Sequence, residues 1–205
     1  MRRSATLRTA VASLSLAAPL MLARPVAAQD QGGLRPPDAF AGIADPAARS
    51  VALFEEAGKV IQHPRCVNCH PAGDRPLQGD DGHPHVPWAR RGEADFGVPA
   101  MTCNTCHQQR NVDHAGVPGN PAWALAPLEM AWQGRALGAI CGQIKDPERN
   151  GGKTLGELHE HMAEDDLVGW GWAPGAGRTP VPGTQEGFGR LIAAWIETGA
   201  VCPPG

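Results

Sequence analysis

Two motifs of the form Cys-x-x-Cys-His contain the residues whose types and spacing could do chemistry. The first ends at His70 and the second at His107. In such a motif the two thiols can form thioether bonds to the vinyl groups of a porphyrin, and the adjacent histidine can bind the iron as its proximal ligand. The sequence therefore predicts two covalently bound c-type haems. Their expected attachment residues are Cys66, Cys69, His70, Cys103, Cys106 and His107.

Two alternatives use the same four cysteines. Paired Cys-x-x-Cys segments can also bind zinc, and cysteines in an oxidising compartment can form disulfides. Both alternatives leave the histidine that follows each pair unexplained. The 33 residues between Cys69 and Cys103 are also long for a zinc ribbon.

Residues 1–28 have the pattern of a secretory signal peptide. Arg2 and Arg3 precede a mostly apolar stretch at 9–23, and small residues at 26–28 predict cleavage before Gln29. The alternative is an uncleaved membrane helix, but the apolar stretch is short for a stable anchor. We therefore expect a periplasmic protein, exported through the general secretory route, with its cysteines in an oxidising compartment.

Composition excludes several classes of protein. The chain has 18 Lys and Arg against 21 Asp and Glu, and removal of the four arginines in residues 1–28 takes the formal net charge from −3 to −7. An acidic protein of this kind is not expected to bind nucleic acid, and no apolar run is long enough for an integral membrane span. With 26 Gly and 20 Pro among 205 residues, long helical bundles and coiled coils are not expected either.

The pattern of apolar residues predicts a mostly α fold with long Gly/Pro-rich loops, and no period-2 strand pattern of any length appears. Asp45 and Pro46 are typical of a helix start, and residues 29–44 before them are interpreted as a flexible leader. Residues 45–205 are then expected to form one di-haem cytochrome c domain. The predicted helices cover residues 46–61, a segment that ends before Asp146, residues 155 to about 163 after a capping box at Thr154 and Glu157, and a C-terminal segment that ends at Gly199.

The sixth ligand of each iron decides whether the haem transfers electrons or does chemistry. His85 lies on a proline-stiffened loop between the motifs, from which an imidazole could reach the first haem. His159 and His161 flank the apolar face of the same short predicted helix, with His159 slightly closer to it, and Met130 offers a thioether. The distal candidates at this point are His85 and either His159 or His161, with Met130 as the alternative; other side chains of suitable chemistry are His63, His83, His114, Met101 and Met162.

Two cysteines remain after the motifs are assigned. Cys141 lies on a predicted helix, and Cys202 follows the C-terminal helix. In an oxidising compartment, an even number of remaining cysteines favours a disulfide between these two. The alternative is two buried free thiols.

Residues 63–203 resemble di-haem c-type cytochromes, and more specifically the exported bacterial cytochromes associated with isoquinoline 1-oxidoreductase-type molybdenum hydroxylases. This resemblance implies small cytochrome c-like helices wrapped around two haems, and an electron-donating partner of the molybdenum hydroxylase type. It also implies that His161, rather than His159, is the distal candidate. The resemblance is carried by Asn68-Cys69-His70-Pro71, Pro84-His85-Val86-Pro87, Arg91-Gly92, Leu125-Ala126-Pro127, Lys145-Asp146-Pro147, Arg149-Asn150-Gly151-Gly152 and Val168-Gly169-Trp170-Gly171-Trp172.

The leading functional hypothesis is a periplasmic electron carrier, or the electron-accepting subunit of an oxidoreductase, rather than an enzyme in its own right. The alternative is a di-haem cytochrome c peroxidase-like enzyme. Such an enzyme needs an open distal position and nearby acid–base groups, and no spacing in this chain singles those groups out. The chain is also short for a two-domain peroxidase.

Overall fold

In a computed structural model, which describes residues 33–205, helices supply most of the regular secondary structure. The predicted signal peptide lies outside the described residues. The α-helices in the described part are α1 (Pro46–Ile61), α2 (Pro64–Val67), α3 (Leu137–Lys145), α4 (Leu155–Glu164), α5 (Asp166–Gly169) and α6 (Gln185–Glu197). Two antiparallel hairpins are formed by β1 (Leu77–Gln78) with β2 (His83–Pro84), and by β3 (Gly97–Val98) with β4 (Met101–Thr102). The mainly α fold expected from the sequence is confirmed.

The helix boundaries follow local capping chemistry. The Asp45 carboxylate accepts a hydrogen bond from the Ala48 amide (2.8 Å), so α1 begins at the position that the sequence predicts. At the start of α4, the Glu157 amide donates to the Thr154 hydroxyl (3.3 Å) while the Thr154 amide donates to the Glu157 carboxylate (2.8 Å). This is the predicted capping box, and it satisfies two amides that would otherwise lack partners.

The main core lies where α6 packs between α1 and α4. Phe54 and Trp195 meet at its centre with ring centroids 4.8 Å apart, and both are almost fully buried. Burial of such side chains is the main favourable contribution to folding. The core includes Leu53, Phe54, Ala57, Val60, Ile61, Ile140, Ile144, Leu158, Met162, Phe188, Leu191 and Ile192 together with Trp195.

The described part of the predicted leader, residues 33–44, differs from the flexible segment expected. Pro37–Phe40 forms a 3-10 turn, and Phe40 is buried with only 2% of its surface exposed. The Arg35 guanidinium lies over the Phe40 ring and donates to the Glu56 carboxylate of α1 (2.7 Å). This segment therefore packs against the helices, because a buried ring and an ion pair offset the entropy cost of ordering it.

The long segment between α2 and α3 has little regular structure beyond the two hairpins and short 3-10 turns. It contains the second motif and the loop that carries His85. None of the helices in the described residues combines the length and the apolar character that a membrane crossing requires.

Candidate functional site

The first motif lies on a helical turn directly after α1. His63 caps α2, where its Nδ1 accepts a hydrogen bond from the Arg65 amide (3.2 Å). The turn continues through the motif, because the Cys69 amide donates to the Cys66 carbonyl (3.1 Å). Burial raises the pKa of Cys66 to about 12 and the pKa of Cys69 to about 11. Both thiols are therefore neutral at physiological pH, which lowers the cost of holding them inside the protein.

His70, the last residue of the first motif, is held from two directions. Its Nδ1 lies 2.7 Å from the Met130 carbonyl oxygen. A carbonyl can only accept, so Nδ1 carries the proton and Nε2 keeps a free lone pair. The Trp132 indole stacks on the imidazole with centroids 3.5 Å apart and planes within 6°. Burial lowers the pKa of His70 to about 4, which keeps the ring neutral and able to bind a metal.

The second motif has the same two kinds of neighbour. It begins on the 3-10 turn Cys103–Thr105, immediately after the β3–β4 hairpin. The His107 Nδ1 donates to the Pro118 carbonyl (2.8 Å), and the Trp123 indole stacks on the His107 ring at 4.6 Å and 14°. Burial lowers the pKa of His107, so this imidazole is also held neutral with Nε2 free.

A cavity of about 600 Å³ brings the two motifs together. Cys69 of the first motif and Cys103, Cys106 and His107 of the second motif all contribute to its wall. This size is within the range of small-molecule and cofactor sites. Much of the remaining lining is apolar, including Pro76, Leu77, Val86, Pro87, Val117, Trp123 and Leu125.

His85 lies beside the histidine of the second motif, in the cavity that Cys69 of the first motif also lines. The sequence suggested that the proline-stiffened loop would hold an imidazole over the first haem. In the structure the His85 and His107 rings meet edge to face at the cavity wall, with centroids 5.9 Å apart. The β1–β2 hairpin places His85 beside Pro76, and spacing along the sequence does not reveal that the His107 ring lies next to it.

The candidates on α4 separate into two environments. His159 lies against α6, since its Nε2 is 3.9 Å from the point where a Cβ on Gly189 would sit. His161 lies on the other side, 3.4 Å from the Asp165 carboxylate and close enough to His70 for its charge to lower the His70 pKa. Met130 places its carbonyl at the Nδ1 edge of His70, while its side chain belongs to the core.

Buried arginines near the motifs have N–H groups without partners among the described residues. Arg65 lines the cavity and is buried, yet its Nε has no acceptor; Arg91 leaves Nε and Nη2 unpaired, and Arg75 leaves Nε unpaired. Buried donors without acceptors are costly, so an anionic group is favoured beside them. A porphyrin has an apolar face, which suits the cavity lining, and carboxylate side chains, which suit the guanidinium group of Arg65 at the cavity wall. The residues present therefore fit a haem.

The two remaining cysteines lie together. The Cys141 and Cys202 sulfurs are 2.05 Å apart, with the Cα atoms separated by 5.6 Å, so the pair is at disulfide distance. Within residues 33–205 the four motif cysteines are free thiols, which differs from the two-disulfide alternative. The same part of the chain holds no group of three or more His, Cys, Asp or Glu side chains placed to hold one metal ion.

Several residues of the site carry no clear sequence signal. The Met130 and Pro118 groups that orient the two histidines are backbone carbonyls, which every residue possesses. Trp132 and Trp123 are two of six tryptophans, and nothing in their spacing separates them from the other four.

Protein-family models, curated proteins and solved structures were all compared with this chain, and none of them matches it.

Proposed function

We propose that this protein is a periplasmic di-haem c-type cytochrome that carries single electrons. The observation that carries the proposal is the matched construction of the two Cys-x-x-Cys-His motifs, which contribute to one cavity. Each motif histidine donates Nδ1–H to a backbone carbonyl and stacks on a tryptophan, so each presents a neutral Nε2. Metal-binding histidines in proteins are commonly oriented by such a hydrogen bond.

The residues of the two motifs would each have a defined role in holding the haems. Cys66 and Cys69 would hold the first haem with His70 as proximal ligand, and Cys103 and Cys106 would hold the second with His107. When bound, haem iron supplies one-electron oxidation and reduction. The hydrogen bond from each Nδ1 fixes the tautomer and raises the basicity of Nε2, while Arg65 and Arg91 offer positive charge to anionic groups.

The proposed partner is a redox protein that donates electrons. The sequence resemblance implies a dehydrogenase or hydroxylase of the molybdenum type, which would pass electrons singly to this protein. Covalent attachment suits an exported carrier, because a dissociated haem would be lost outside the cytoplasm.

The test is to produce the full chain in a bacterium that carries c-type haem-ligation machinery. We expect an intact mass equal to the polypeptide from Gln29 plus two haems, and a pyridine haemochrome assay that gives two haems per chain. The double variants C66A/C69A and C103A/C106A should each retain one haem. The matched control C141A/C202A, which removes two cysteines outside the motifs, should retain both haems. A mass that shows bound zinc and no haem would overturn the proposal.

A second measurement separates the electron carrier from the peroxidase alternative. The purified protein is mixed with hydrogen peroxide and a reduced small cytochrome. We expect no oxidation of the reduced cytochrome above the rate without the protein. Sustained peroxide-dependent turnover would favour the enzyme over the carrier.

A further inference from the structure

The ring of His85 lies close to the ring of His107 at the wall of the same cavity. The two imidazole centroids are 5.9 Å apart with ring planes inclined by 62°, and both residues line the cavity between the motifs. At this inclination the two rings meet edge to face and do not stack in parallel. The separation leaves room for one metal ion, since a metal–imidazole bond is about 2.0 Å long.

Each ring has one nitrogen engaged and one nitrogen free. The His85 Nδ1 lies 2.9 Å from the Pro87 carbonyl, and the His107 Nδ1 lies 2.8 Å from the Pro118 carbonyl. Both carbonyls only accept, so both Nδ1 atoms carry protons, and in the neutral imidazole the lone pair is then on Nε2. Among the described residues, neither Nε2 has a hydrogen-bond partner. His85 therefore has the hydrogen-bond pattern that the motif histidines have.

The backbone around His85 is held by contacts on both sides. Its amide donates to the Pro76 carbonyl (2.9 Å), and its carbonyl accepts from Arg75 (2.5 Å). The next amide, that of Val86, donates to the Gln78 side chain of β1 (2.8 Å). These contacts fix the loop, so the imidazole position does not depend on an unrestrained surface segment.

The neighbouring histidine of the same hairpin has a different environment. The His83 Nδ1 lies 2.6 Å from the Asp81 carboxylate, and 43% of the His83 side chain is exposed. His83 does not line the cavity. His83 is also a histidine and lies two residues from His85 in the sequence, so replacing His83 is a matched control for replacing His85.

We propose that His85 is the distal ligand of the haem held by the second motif, so that this iron is bound by two imidazoles, His107 and His85. The inference rests on the proposed function and adds the identity of the sixth ligand. Because both axial positions are occupied, this centre would transfer electrons without binding peroxide or oxygen. The loop between the motifs then serves the second haem, although it follows the first motif in the chain.

The experiment compares H85A, H85M and the control H83A. In the wild-type protein and in H83A we expect low-temperature EPR to show a low-spin bis-histidine signal for the second haem, and no carbon monoxide binding to that haem after reduction. In H85A, about one of the two haems should become high-spin and should bind carbon monoxide. Added imidazole should restore the low-spin signal.

The haem count separates failure of this inference from failure of the proposed function. If the pyridine haemochrome assay gives no haem in the wild-type protein, the proposed function is wrong. If H85A retains two haems and its EPR spectrum and carbon monoxide binding match those of H83A, His85 is not the ligand. Should H85A lose the second haem, H85M decides the matter. A near-infrared methionine–iron charge-transfer band in that variant supports the assignment, and an unchanged bis-histidine spectrum overturns it.

Discussion

At the scale of single residues, the two motif histidines each lie between a backbone carbonyl and an indole. Trp132 covers His70, and Trp123 covers His107. A stacked indole restricts rotation of the imidazole about its Cβ–Cγ bond, while the Nδ1–H hydrogen bond sets the direction in which Nε2 points. We therefore expect the two tryptophans to act as positioning residues, which affect the proposed haem irons through the histidines.

Replacing Trp132 tests this role. Trp132 is only 7% exposed, so Trp132→Ala should lower the free energy of unfolding by about 3 to 5 kcal/mol. It should also broaden or shift the EPR signal of the first haem, because His70 gains rotational freedom. Trp132→Phe keeps a stacked ring and should preserve the signal at a smaller cost in stability. The readouts are urea denaturation followed by circular dichroism, and EPR of the folded protein.

Trp88 is the matched control for this experiment. It is 67% exposed and contacts Arg75 on the surface, so Trp88→Ala should cost less than about 1 kcal/mol and leave the EPR spectrum unchanged. Equal effects at the two positions, or an unchanged first-haem signal in Trp132→Ala, would contradict the positioning role.

At the scale of elements, the contact between α4 and α6 depends on a residue without a side chain. A Cβ on Gly189 would lie 2.6 Å from the Ala163 Cβ and 3.2 Å from its Cα. Gly189→Ala should therefore force the helices apart and lower the free energy of unfolding by about 1 to 3 kcal/mol.

Gly142 on α3 supplies the comparison, because it is exposed and an added Cβ there would have nothing within 4 Å. Gly142→Ala should raise stability by about 0.5 to 1 kcal/mol, since alanine favours helix. Thermal unfolding of both variants checks the opposite signs, and destabilisation by both would refute the argument.

The attachment of residues 33–44 to α1 should depend on pH. The Glu56 carboxylate is 1% exposed, and burial alone would raise its pKa. Hydrogen bonds from Lys59 and Arg35 have the opposite and larger effect, so the pKa of Glu56 lies below its ordinary value of 4.5. A lowered folded-state pKa stabilises the protein above the unfolded-state value, and this contribution is lost as the pH falls through the folded-state pKa. Glu56→Gln should cost about 1.5 to 3 kcal/mol at neutral pH, because two charge-assisted hydrogen bonds are weakened.

The measurement is a urea denaturation series from pH 7 to below pH 4.5. The wild-type protein should lose more stability over this range than Glu56→Gln does. Glu186, which is 83% exposed and paired with Arg190 one turn along α6, supplies the control. Glu186→Gln should have little effect, because exposed ion pairs contribute little. Parallel pH profiles for the wild type and Glu56→Gln would show that the buried carboxylate is not responsible.

At the scale of the whole molecule, net charge governs how the proposed carrier meets its partner. Without residues 1–28 the polypeptide has a formal charge of −7. A transient electron-transfer interface is small, below about 1,200 Å², and exposed charges are screened beyond about 8 Å at physiological salt. If the partner docks through a basic surface patch, we expect the rate of haem reduction to fall about tenfold or more between low and high salt. Stopped-flow reduction across a salt series measures this dependence. A flat profile together with co-purification would indicate a permanent subunit held by apolar contacts.

Local patterns in the sequence determine much of this protein. The two Cys-x-x-Cys-His motifs, the start of α1 at Asp45 and Pro46, and the capping box of α4 each depend on residues a few positions apart, so each can be predicted without a structure. The Cys141–Cys202 disulfide could be predicted by counting cysteines, because the motifs leave two. The motifs and the helix starts involve residues within one turn of each other. Cys141 and Cys202 are far apart in the sequence, but no other cysteines remain to pair with them.

Contacts between distant segments were decided only by the tertiary structure. The His85 and His107 rings lie beside each other although they belong to separate loops, and the Met130 carbonyl meets His70 across 60 positions of sequence. Residues 33–44 pack through Phe40 and Arg35, although so short a segment has no periodicity to reveal a buried face. Such contacts arise from the packing of whole elements, and a backbone carbonyl or a single ring leaves no pattern along the sequence. For this reason the sequence predicted attachment residues for two haems. Only the tertiary structure showed that His85 lies beside His107 of the second motif.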